Sequence, residues 1–171
     1  LILPLSTLSA NTINMVLSLV VVAALLPAIK MVSTTTATYS SNLVYLAPAV
    51  LLQLVLVAGL CLLVSVSNVY FKDTEHITGV VLMAWFFLSP VIYRLEDITK
   101  LTPASPLKQL LLTAFYLNPM VLVLSLYRKA FLNTQVPWNL WVGLSLVLTA
   151  AVFAVGWLGF RAKEAYFADE M

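Results

Sequence analysis

Four long apolar runs constrain this chain more than any other feature. Leu5–Ile29, Leu43–Val69, Ile77–Tyr93 and Trp138–Phe160 are almost free of charge. A helix needs about 20 apolar residues to cross the hydrocarbon of a bilayer. The core of a soluble chain of 171 residues has no use for four such stretches, so lipid is the solvent and the runs read as spanning helices. Charged residues make up 9% of the chain, against about 25% in ordinary soluble domains, and they sit in the connectors. The expected fold class is all-α: a polytopic membrane helical bundle of four spans, forming a single transmembrane domain over residues 1–171. Such a chain is suited to moving something across a membrane.

Polar residues inside the runs are arranged by face. Thr7, Asn11, Asn14 and Ser18 recur at spacings of four, three and four, which places them along one side of a helix. In lipid such a stripe faces protein or a water-filled path. Pro27 sits near the far end of this run, and a Ser/Thr-rich linker, Ser33–Asn42, follows it. The second run carries Gln53, Cys61, Ser65 and Asn68 on one side, with Gly59 as a point of close helix approach. It ends in the densest charge cluster between two spans, Tyr70–His76, an exposed elbow at a membrane face. The third run ends in Trp85-Phe86-Phe87-Leu88-Ser89-Pro90-Val91-Ile92-Tyr93. Pro90 stops the helix there, and its aromatics suit an interface. In the last run, Ser145, Thr149, Gly156 and Gly159 form a small, partly polar packing stripe. The tail Arg161–Met171 mixes charge signs and reads as a solvated helix end.

Arg94–Pro137 is built differently. Ser105-Pro106 and Asn118-Pro119 each pair an N-cap residue with a proline at the first helical position. They predict two short helices, Pro106–Leu117 and Pro119–Phe131, neither able to cross a bilayer alone. A re-entrant pair that dips in and returns fits best, since irregular backbone survives at depth only against protein or water. One kinked span is the alternative.

Several chemistries are missing from the sequence. There is no Gly-x-x-x-x-Gly-Lys-[Ser/Thr] phosphate loop, so any ATP is bound by another chain. His76 stands alone beside Asp73 and Glu75, and Cys61 is the single cysteine. No catalytic, cofactor or metal site is expected, and no nucleic-acid partner. No ionisable residue lies mid-span, which argues against a proton-coupled carrier, and no inverted repeat is evident.

Three segments in order carry a resemblance: Asn68-Val69-Tyr70-Phe71-Lys72-Asp73 with Glu75-His76, then Trp85–Tyr93, then Leu117-Asn118-Pro119-Met120. Together they resemble the membrane subunit of ABC-2 type exporters of polysaccharide, which carry O-antigen, capsular polysaccharide or teichoic acid. Lys72 stands where that family has arginine, keeping the charge but losing the planar fork. Leu3-Pro4-Leu5 resembles the entry to the family's third span. The resemblance implies that an amphipathic N-terminal helix and two spans of the family precede what is present here. It also implies a homodimer in the bacterial cytoplasmic membrane, paired with ATPase subunits that hold ATP and Mg, and acting on a lipid-linked polysaccharide.

On that footing, Tyr70, Phe71, Lys72, Asp73, Glu75 and His76 are the candidate contact with the ATPase; the plainer reading is a solvated turn. Trp85, Phe86, Phe87, Tyr93 and Tyr116 are candidates for a path along which sugar faces slide, or else packing and interface anchors. Ser105, Pro106, Asn118 and Pro119 frame a candidate outer gate. The resemblance places the elbow and the tail on the cytoplasmic side, whereas counting Lys and Arg across connectors favours the reverse. A permease for drugs or lipids, or a membrane assembly protein with no transport path, remain the rival classes.

Overall fold

The computed structural model describes residues 2–32, 42–71, 73–91, 106–132, 134–136 and 140–167. All the regular elements among them are helical: α1 (Ile2–Val32), a short 3-10 turn (Leu43–Tyr45), α2 (Leu46–Tyr70), α3 (Thr74–Leu88), α4 (Pro106–Leu117), α5 (Pro119–Leu132) and α6 (Leu140–Phe167). The chain is an all-α membrane helical bundle.

Three helices among the described residues are long and apolar enough to cross a bilayer, through Ser6–Leu25, Leu43–Asn68 and Leu140–Ala162. The third expected span is shorter than its apolar run. α3 has 15 residues, about 22 Å at 1.5 Å per residue. It stops at Leu88 because Ser89 precedes a proline and takes an extended conformation, φ −88° and ψ 137°, as the ring of the following residue demands. At Pro27 the outcome is different, for α1 runs on through that position to Val32. α6 continues past Phe160 to Phe167, so the tail is helical as expected up to that residue.

α2 and α6 form the most extensive helix pair. They touch at two glycines. A Cβ on Gly59 would lie 2.7 Å from the Cα of Phe153, and one on Gly156 would strike the Gly59 carbonyl. Only bare backbone fits at this crossing. Ser145 and Thr149 are buried along the same face, and the Thr149 hydroxyl donates to the Ser145 carbonyl at 2.8 Å. The expected packing stripe is therefore present, except that Gly159 has open space beside it.

Near their first turns α2 and α6 share a second cluster. Ala49, Leu122, Leu126 and Val136 pack there with Tyr45, Leu52, Tyr127 and Val142. Ala49 and Leu52 thus match Val142, while Gly59 matches Phe153 and Gly156, so α2 and α6 run in the same direction. The elbow after Tyr70 and the end of α6 lie at one end of the bundle. Between them the chain makes one net crossing, which is α3, and the short pair α4–α5 stays at the opposite end. α4–α5 therefore does not carry the chain from one end of the bundle to the other.

α1 packs chiefly against α2, and none of its spanning residues is buried in this chain. Its stripe of Thr7, Asn11, Asn14 and Ser18 is exposed. The Ser18 hydroxyl turns back to the Asn14 carbonyl at 2.9 Å, the habit of hydroxyls in apolar helices.

Candidate functional site

The Ser-Pro motif that ends α3 and the Asn-Pro motif that joins α4 to α5 meet in space. Asn118 is buried between them. Its role as a helix cap follows from its position: the side-chain Oδ1 accepts from Met120 N–H at 3.0 Å, and its carbonyl accepts from Val121 N–H at 3.0 Å. Proline at the first position of α5 brings no N–H that needs a partner. That much is local chemistry, and the Asn-Pro spacing announces it.

The same side chain also reaches across to α3. The Trp85 indole N–H donates to Asn118 Oδ1 at 2.8 Å. Asn118 Nδ2 donates to the Ser89 hydroxyl oxygen at 2.9 Å. Indole and backbone N–H groups can only donate, so the atom facing Trp85 and Met120 must be the amide oxygen. Ser89 is buried and Pro90 fully so. Arg128 of α5 adds a further tie, donating to the Pro90 carbonyl and, at 3.4 Å, to that of Val91. A guanidinium is well suited to carbonyls freed where a helix ends. α5 is held to α2 as well: the Tyr127 hydroxyl donates to Gln53 Oε1 at 2.6 Å, and Lys129 lies 6.0 Å from the Tyr45 ring centroid.

The elbow at the other end of α3 is also ordered. The Thr74 hydroxyl donates to the Phe71 carbonyl at 2.7 Å and contacts the Ser67 carbonyl at 3.1 Å. Phe71 N–H closes on Ser67 at 3.0 Å. Thr74 is buried, while Tyr70, Phe71, Asp73, Glu75 and His76 are exposed. These bonds brace the start of α3, and the described residues of the turn present two aromatics and three polar groups outward.

The aromatic candidates fall in three settings. Trp85 is half-buried and bonded to Asn118. Phe86 and Phe87 are exposed, edge to face at 5.6 Å. Tyr116 stacks on Trp141, 5.1 Å between centroids and 14° between planes, beside a shallow cleft reached by Ser125 and Ser145. Lys72, Tyr93 and Ser105 lie outside the described residues, as do the linker after Val32 and Trp138. Pro106 begins α4 and Pro119 begins α5, as expected. Among the described residues no group of three or more His, Cys, Asp or Glu is placed to hold a metal.

Sequence reasoning did not single out Thr74, Ser89, Gln53, Tyr127 or Arg128 as partners. Arg128 carried a signal, since a cation within a short apolar helix needs acceptors, and a proline-terminated helix nearby supplies them.

No protein-family model matches the chain. Among curated proteins, it is 32% identical over 137 residues to the O-antigen export system permease protein RfbA of Myxococcus xanthus, an alignment that covers 80% of this chain and 47% of the relative. The chain therefore spans about half the length of the curated relative it matches. Over those residues it is homologous to an export permease, which bears out the resemblance carried by the Asn-Val-Tyr-Phe, aromatic Ser-Pro and Leu-Asn-Pro segments.

Proposed function

We propose that this chain, as a relative of an O-antigen export permease, forms part of the membrane subunit of an ATP-driven exporter that moves a lipid-linked polysaccharide out across the bacterial cytoplasmic membrane. The observation that carries the reading is the join between motifs. The segments that gave the resemblance form one physical unit, α3, with an ordered elbow at one end and Asn118 of the short helix pair bonded to the other.

In this reading ATP and Mg are bound by separate ATPase subunits, and two copies of the permease face each other around the path. The elbow residues Tyr70, Phe71, Lys72, Asp73, Glu75 and His76 take the push of the ATPase. Exposed aromatic and polar groups beside the braced start of α3 suit docking, because less ordering entropy is lost there than on a free loop. Ser105, Pro106, Asn118 and Pro119 frame an outer gate. α4 and α5 are short, so the gate is framed by two separate elements that meet at the Asn118-Pro119 joint. Phe86 and Phe87, with Tyr93 and Tyr116, offer flat apolar faces to sugar rings without fixed hydrogen bonds. This chain itself carries out no covalent chemistry.

The test is purification of the permease with the ATPase that accompanies it, followed by reconstitution. ATP-dependent entry of a lipid-linked polysaccharide into vesicles is the expected result. Transport of a small hydrophobic dye with no polymer movement would favour the drug or lipid permease, and absence of any ATPase in the purified complex would favour an assembly protein.

A further inference from the structure

We infer that Asn118 is a positioning residue that makes the short helix pair follow α3, so that displacement at the elbow is delivered to the outer end of the bundle through Trp85, Ser89 and Arg128. The inference rests on the export reading above and adds a specific route to it.

α3 has two ends of contrasting construction. At the elbow, Thr74 binds it to the end of α2 by side-chain bonds to the Ser67 and Phe71 carbonyls. Along its length it is exposed: Ile77, Val80, Val81, Leu82, Met83 and Phe87 all face outward. At the far end it is gripped again, by Asn118 through Trp85 and Ser89 and by Arg128 through the Pro90 carbonyl. A regular helix held at its ends and free along its side moves as a rod. Its motion passes on wherever it is bonded, and the bonded partner is the N-cap of α5.

The cap makes the transfer direct. Asn118 Oδ1 accepts from Trp85 on α3 and from Met120 on α5 at once. Shifting α3 without α5 would break the Trp85 and Ser89 bonds and leave a buried amide and a half-buried indole short of partners. Neither Trp85 nor Ser89 is needed for the cap itself, so the link to α3 can be cut while α5 keeps its start.

The experiment uses the permease–ATPase complex in lipid nanodiscs, with Cys61→Ala as background. One reporter cysteine replaces Ile77, on the first turn of α3, and another replaces Leu117, at the joint; both positions are exposed. Maleimide labelling is followed with and without a non-hydrolysable ATP analogue. With the link intact, both reporters change rate on nucleotide binding. With Trp85→Phe and Ser89→Ala combined, the Ile77 reporter still responds and the Leu117 response falls to the remnant that the Arg128 tie to the Pro90 carbonyl alone passes on. The single variants each keep one bond and give an intermediate Leu117 response, which covers the case in which the double variant does not assemble. A full Leu117 response in the double or in both single variants would overturn the inference and leave the export reading standing. No nucleotide response at either reporter with the link intact would overturn both.

Discussion

Gly59 and Gly156 bring the backbones of α2 and α6 into contact, each occupying the space where the other's helix would otherwise meet a side chain. Gly156→Ala places a methyl against the Gly59 carbonyl and the Leu62 Cβ. The helices must part, at a cost of about 1–3 kcal/mol. Gly143→Ala, with nothing within 4 Å of the new Cβ, should instead be neutral or stabilise by up to about 1 kcal/mol through helix propensity. Unfolding of the purified chain in mixed micelles, followed by circular dichroism, checks the contrast.

Asn118→Ala removes a cap and deprives the Trp85 indole and Ser89 hydroxyl of their partner in a buried place. A loss of about 1–3 kcal/mol is expected, with faster hydrogen exchange at Met120, whose amide the asparagine side chain now holds. Unchanged exchange there would show that proline alone starts α5.

Tyr127→Phe tests a weaker tie. It deletes the hydroxyl that bonds Gln53 at 2.6 Å while keeping the ring. Interhelical bonds of this kind average about 0.6 kcal/mol in membrane proteins, so the variant should fold normally with a small loss measurable in the same micelle titration.

Thr74→Val keeps the shape of the buried side chain and removes its bonds to the Phe71 and Ser67 carbonyls. The expected effect is local: about 1 kcal/mol lost at the turn, seen as faster proteolysis or hydrogen exchange at residues 71–74, with the packing of α2 on α6 unchanged.

The direction of α6 gives a prediction about sidedness. In a Cys61→Ala background, cysteines at Glu75 and Ala162 should label from the same side of sealed vesicles, and a cysteine at Leu132 from the other. Glu75 and Ala162 on opposite sides would contradict the parallel course of α2 and α6.

What could be read in advance follows the range of the forces involved. α4 and α5 begin at Pro106 and Pro119 as the sequence predicts, because capping and proline geometry act within a few residues. The end of α3 is equally local, set by the peptide before Pro90. Gly59 and the stripe through Gly156 are recognisable as contact surfaces, yet nothing in either helix says that they contact each other. That pairing depends on which helices neighbour one another. The same holds for Asn118. Its service to α5 can be inferred from Asn-Pro, whereas its bonds to Trp85 and Ser89 depend on a fold that brings together residues about 30 positions apart. α1 shows the reverse limit: its polar stripe is periodic in sequence, but no described part of the chain covers it.

The brevity of α3 bears on the lipid around it. Its neighbour α2 lies in an apolar stretch of 26 residues, about 39 Å of helix, while α3 offers about 22 Å against a hydrocarbon layer near 30 Å. Leaflets touching the outward flank of Val80, Met83 and Phe87 must draw together to match it. Thinning of the bilayer along this flank is the expected response, and the reconstituted chain should gain stability as acyl chains shorten.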